Sequence, residues 1–120
     1  MIYDLEDRVI RFASLVLSVC DKMKFTESGR HLKSQLIRSG TSVALNFGEA
    51  RSAESTKDLH HKYSIILKES RETYINLKLI KQNALCRDPR ILNDALDENN
   101  QLIAIFVKSL QTIRGKMNKR

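Results

Sequence analysis

Along four stretches of this chain, apolar residues return every three or four positions, and almost nothing interrupts them. That spacing matches one face of an α-helix and does not match the alternation of a half-buried strand. Four glycines and one proline in 120 residues are also too few for the turns a many-stranded sheet needs every ~8–12 residues. The chain is therefore expected to be all-α.

The first stripe is Leu5, Val9, Phe12, Val16, Val19 and Met23, with Ala13 and Cys20 beside it, and it predicts a helix from Asp4 to Lys24. The stretch 25–30, with Thr26, Ser28 and Gly29, reads as a turn. A second stripe holds Leu32, Leu36, Gly40, Val43, Phe47 and Ala50. Gly40 sacrifices about 1 kcal/mol of helix propensity relative to Ala, and its place in the apolar stripe points to a close approach by a neighbouring helix. Ser55, followed three residues later by Asp58, has the spacing of a helix N-cap with an acid in the first turn. The third helix then carries Leu59, Tyr63, Ile66, Ser70, Thr73, Leu77 and Ile80, ending near Asn83. Asp88-Pro89 is a second start signal, because Asp caps and Pro suits the first helical position. The last stripe is Leu92, Leu96, Asn99, Ile103, Phe106, Leu110, Ile113 and Met117. Short connections make successive helices antiparallel neighbours. The expected fold is one domain over 1–120, an antiparallel up-down-up-down four-helix bundle of rods about 30 Å long.

Apolar residues make up 42% of the chain, with no Trp, four Phe and three Tyr, so Leu, Ile and Val do most of the packing. The longest uncharged apolar run, Phe12 to Cys20, falls short of the ~20 residues a membrane helix needs, and the first residues are acidic where a signal peptide would be basic. Cys20 and Cys86 are too few for a disulfide framework and read as reduced hydrophobes of a cytoplasmic protein. The net charge of +7 is concentrated in the second half: six bases face three acids over 55–84, and seven face four over 85–120. Such a field favours polyanions; the simpler reading is solubility plus a basic tail.

The long helices carry more apolar surface than one core stripe needs. Leu67 and Tyr74 flank the third stripe and Ile65, Ile75 and Leu79 lie beyond it; Ile10, Leu17, Ile91 and Ile105 are off their stripes. An apolar surplus of this size points to self-association. Helix two also carries a polar stripe, Gln35, Ser39, Ser42, Asn46 and Glu49, at steps of 4, 3, 4 and 3. Small hydroxyls and amides there fit a helix–helix interface with internal hydrogen bonds, a partly solvated boundary, or a ligand site.

Catalytic patterns are missing. None of the three histidines follows a Glu by three residues, as bundle metal sites require. His60 and His61 point about 100° apart on a helix and read as a solvated pair. There is no CxxC, no glycine-rich phosphate loop and no GxSxG elbow. Lys68 and Glu72 have the spacing of an i,i+4 surface pair. No catalytic residue, metal or cofactor is expected.

The run Ser34-Gln35-Leu36-Ile37-Arg38-Ser39-Gly40-Thr41-Ser42-Val43, followed by Asn46, Glu49-Ala50, Ala53, Ser55, Asp58, Lys62, Ile66, Leu67-Lys68-Glu69 and Glu72-Thr73, resembles the four-helix-bundle family encoded by intervening sequences in 23S ribosomal RNA genes. That family includes the accessory proteins of diversity-generating retroelements. The resemblance covers most of the chain and is strongest in helices two and three. Asn46-Phe47-Gly48-Glu49-Ala50 departs from the common Asn-Ile-Ala-Glu-Gly form, its small residues exchanged. The resemblance implies a barrel-like homopentamer and, by analogy with the retroelement members, a basic surface toward nucleic acid and a reverse transcriptase. It implies no catalytic activity, and it favours an architectural role for the polar stripe.

Two functional readings follow. In the first, a pentameric scaffold binds RNA or DNA through Lys57, Lys62, Lys68, Arg71, Lys78 and Lys81 of helix three and Arg114, Lys116, Lys119 and Arg120 at the C-terminus. In the second, the apolar surplus receives a protein partner, and the chain is an adaptor for a nucleic-acid enzyme such as a reverse transcriptase.

Overall fold

Each helix begins where a side chain can satisfy its free amides. In the computed structural model, which describes residues 4–119, α1 spans Leu5–Asp21, α2 Glu27–Ala50, α3 Thr56–Gln82 and α4 Pro89–Met117. The Asp4 carboxylate accepts from the Asp7 amide, and Thr26 Oγ1 from the Gly29 amide at 3.0 Å. The predicted turn over 25–30 is thus shorter than expected, because Thr26 is already a cap. Ser55 Oγ accepts from the Asp58 amide at 3.0 Å, while Asp58 Oδ2 accepts from the Glu54 amide at 3.2 Å, a reciprocal arrangement shifted one residue from the usual capping box. Asp88 accepts from the Arg90 and Ile91 amides, with Pro89 opening α4. α1 ends at Asp21 rather than Lys24. The three residues beyond it run into a short antiparallel contact with the α3–α4 loop, where Lys24 N donates to Leu85 O at 2.8 Å and Arg87 N to Lys22 O at 2.7 Å. That loop turns through Ala84 at φ 52°, a left-handed conformation that glycine would adopt with less strain.

α1 packs on α2 and α4, α3 packs on α2 and α4, and α1 and α3 are not adjacent. The four helices therefore form a ring with α1 and α3 across its diagonal. The rods are unequal: α1 has 17 residues and α4 has 29, about 26 and 44 Å, against the uniform length expected.

One core fills the ring. Val9, Phe12, Val16 and Val19 from α1, Leu36 and Val43 from α2, Ile66, Leu77 and Ile80 from α3, and Leu102 and Phe106 from α4 are all but fully buried. Phe47, Tyr63 and Phe106 stack as a tilted triad toward one end. α4 is rotated slightly from the predicted phase, so Leu102 is buried and Ile103 only half-buried. Gly40 makes the expected close approach: a Cβ there would lie 2.7 Å from Val16 Cγ1. The surplus on α3 is partly absorbed, because Leu67 and Tyr74 pack half-buried on the core, as do Ile91 and Ile105 of α4. Ile10, Leu17, Ile75 and Leu79 stay exposed.

Candidate nucleic-acid and assembly surfaces

The polar stripe of α2 divides along its length. Ser39 is fully buried; its Oγ lies 3.0 Å from Thr73 Oγ1 and accepts from Asn76 Nδ2 at 3.4 Å. Gln35, Ser42 and Asn46 are half-buried, and Asn46 Nδ2 donates to Ser42 O. Glu49 is exposed and pairs with Lys62 of α3 at 3.8 Å. The stripe thus runs along the α2–α3 side, dry at Ser39 and solvated at the Glu49 end. Behind it, inside the ring, Asn99 of α4 is fully buried and donates through Nδ2 to Ser70 O at 3.1 Å. Its Oδ1 has no hydrogen-bond partner among the described residues.

Three arginines make four further ion pairs between elements. Arg38 bridges to Glu69 at 3.3 Å and also to Glu72, so Glu72 serves a neighbouring helix rather than Lys68, correcting the expected i,i+4 pair. Arg8 of α1 grips Glu98 of α4 at 2.7 Å and reaches Gln101, and Arg51 pairs with Glu6 at 3.3 Å. None of these was legible from spacing within one helix, since each joins residues far apart in sequence.

The ten proposed nucleic-acid-binding bases do not form one surface. Lys62 is engaged by Glu49. Lys68, Arg71 and Lys78 lie exposed on the outward side of α3, where Lys78 Nζ stands over the Tyr74 ring. Lys81 and Lys78 edge a cleft against α4 that also contains Asp97, an acid that offsets their field. A second group gathers where α3 begins and α4 ends. Lys57 and Lys116 line one cleft with Ser55, Thr56 and Met117. Arg114 Nε donates to His60 Nε2 at 3.2 Å, so His60 is docked rather than one of a solvated pair. Lys119 follows, exposed; Arg120 lies outside the described residues. Among the described residues Lys57, Arg114, Lys116 and Lys119 are in no ion pair. Part of their placement is explained by the α4 C-terminus, whose carbonyl dipoles favour cations.

The start of α1 carries the opposite charge at the same end of the bundle, where Arg51 of the α2–α3 connection pairs with Glu6. Asp4, Glu6 and Asp7 cluster there, and the hydrogen bond and charge of Asp4 hold the Asp7 carboxyl above its usual range. Burial pushes the Cys20 thiol up to about 11 and the Tyr63 hydroxyl upward as well. Among the described residues no group of three or more His, Cys, Asp or Glu comes together as a metal would need, and no helix is long and apolar enough to cross a membrane.

These features define a basic, antiparallel four-helix-bundle protein with polar internal seams. A family model described as 23S rRNA-intervening sequence protein matches residues 4–108, and the chain belongs to that family. Its fold is similar to a crystal structure of a protein with unknown function from the S23 ribosomal protein family of Bacteroides thetaiotaomicron. The two are 24% identical with a TM-score of 0.75, over 89% of this chain and 98% of that one. Comparison with curated proteins finds no significant match.

Proposed function

We propose that this chain is a non-enzymatic, self-associating bundle protein that binds nucleic acid through the basic end formed by the start of α3 and the end of α4. The observation that carries the reading is the set Lys57, Arg114, Lys116 and Lys119, gathered from two helices and free of ion pairs among the described residues. Unpaired cations grouped in this way suit phosphate, whereas Lys62 and Arg38 are already spent on neighbouring acids. Arg120 extends the same sequence run. Few aromatics stand exposed, so the contact is to backbone phosphates rather than to stacked bases. Self-association is supported by Ile10, Leu17, Ile75 and Leu79, which stay exposed on a single subunit. Five copies is the number the family resemblance implies. The family's link to 23S rRNA makes fragments of that RNA the first ligand to try.

The test is binding to an rRNA fragment and to duplex DNA across a salt series. Affinity should fall with salt at a slope near −0.9 per neutralised duplex phosphate, and joint reversal of Lys57, Arg114, Lys116 and Lys119 to Glu should abolish most of that slope. Lys62→Glu should leave it nearly unchanged. A flat salt response, or no binding at low salt, overturns the reading. A nuclease-resistant protein partner captured by the wild type but not by Ile75→Lys would favour the adaptor reading instead.

A further inference from the structure

Two exposed lines of side chains, on helices that are not neighbours within one subunit, carry opposite charge. On α1, Asp7, Ile10, Ser14, Leu17 and Asp21 recur at steps of three and four and are all exposed, a line about 21 Å long. Ile10 is 50% exposed and Leu17 43%. On α3, Lys68, Arg71, Ile75, Lys78 and Leu79 share the outward side, with Ile75 59% and Leu79 42% exposed, over about 17 Å. The α1 line sets Ile10 and Leu17 between an acid at each end, and the α3 line interleaves Ile75 and Leu79 with its bases, so both combine apolar contact with charge. The charges of the α1 line are acids and those of the α3 line are bases. Departures from this pattern are local. Arg11 stands exposed beside the α1 line, Lys22 follows Asp21, and Arg87 donates to the Asp21 main-chain oxygen. On the other side, Glu72 is occupied by Arg38.

We propose that these lines are the two halves of one head-to-tail contact, the α1 face of one copy seating on the α3 face of the next. The proposal rests on the self-association reading above and specifies its geometry. Like-with-like pairing would set Lys68, Arg71 and Lys78 against their own copies, or Asp7 against Asp7, and is disfavoured by that repulsion. Because α1 and α3 sit across the diagonal of the ring, every subunit presents its two halves on opposite sides. Heterologous contacts of this kind close into rings when the rotation per subunit permits, and otherwise run on as filaments. Lys68, Arg71 and Lys78 then serve protein–protein contact, which separates them from the phosphate-binding end at Lys57, Arg114, Lys116 and Lys119.

Two double variants at exposed positions test this by light scattering on the full chain. Ile10→Lys with Leu17→Lys spoils the α1 face; Ile75→Lys with Leu79→Lys spoils the α3 face. Both should keep wild-type helical circular dichroism, and each alone should fall to the mass of one chain, 13.8 kDa. Mixed in equal amounts they should form a heterodimer that grows no further, since one intact α1 face meets one intact α3 face and the two spoiled faces repel. A mixture that stays monomeric overturns the head-to-tail pairing. If either double variant assembles like the wild type, the faces are wrong while self-association stands. A wild-type chain that is monomeric at every concentration overturns both readings.

Discussion

The two flanks of α2 meet their neighbours by opposite means. Toward α1 the contact is close and apolar: Gly40 lets Val16 approach until a single added methyl would clash, and Cys20 Sγ lies 3.9 Å from Lys33 O. Toward α3 the contact is polar, with Ser39, Thr73 and Asn76 bonded in the dry middle and Arg38 and Glu49 pairing with Glu69, Glu72 and Lys62 along the edge. An apolar seam is held by fit and is sensitive to volume. A polar seam is held by direction, so a slipped register leaves buried donors and acceptors without partners. The α1 seam thus sets how near the helices come, and the α3 seam sets where along their length they stop.

The largest expected effect is the reference for both flanks. Leu36 is fully buried between them, and Leu36→Ala should cost about 2–5 kcal/mol in denaturant unfolding. A loss under ~0.5 kcal/mol would mean that α2 is not the hub it is taken for. The next test sharpens the apolar side. Gly40→Ala gains ~1 kcal/mol of helix propensity but drives a methyl into Val16, so a net loss of about 1–2 kcal/mol is expected from overpacking. Val16→Ala in the same chain should recover part of it, because the deleted methyls are the ones struck. Strict additivity in that cycle would show that the two residues do not share a contact.

On the polar side the expected change is smaller. Ser39→Ala alters volume little but removes the acceptor of the Asn76 amide and the partner of the Thr73 hydroxyl, and should cost about 1 kcal/mol. Thr73 keeps a second acceptor in Glu69 O at 2.8 Å, which limits the loss. A loss larger than that of Gly40→Ala would reverse the proposed ranking of the two seams.

How much of this was legible depended on sequence distance. Helix starts at Ser55 and Asp88 follow from a cap and the residues next to it, that of α1 follows from its apolar stripe with Asp4 proving to be the cap, and Gly40 announced its contact by interrupting an apolar stripe with the one residue that has no side chain. Thr26 was overlooked as a cap because Ser28 and Gly29 beside it mimic a turn. Leu102 was displaced by Ile103 in the expected core because over 29 residues a small phase error in α4 accumulates. The partners of Arg8, Arg38 and Lys62 were hidden, since each acid lies on another helix, 90, 31 or 34, and 13 positions away. For the same reason the ten candidate bases read as one surface and separate in space into a solvent-facing α3 group, a neutralised residue and a clustered end. Net charge counts bases without saying which are already paired.

The smallest effect is a pH dependence peculiar to the apolar flank. Burial beside α2 pushes the Cys20 thiol up to about 11, with the Lys33 charge pulling the other way, whereas an unfolded-chain thiol ionises near 8.5–9. Between those values the unfolded chain has lost a proton that the folded chain keeps. The native state then binds more protons, so stability is full below about pH 8.5 and falls as pH rises toward 11. Other groups titrate in the same window, so the contribution is isolated by comparing the wild type with Cys20→Ala. The variant should be less stable at neutral pH, from the lost packing, yet decline less steeply between pH 9 and 11. Parallel declines would place the thiolate in contact with water and make the α1–α2 seam looser than its geometry indicates.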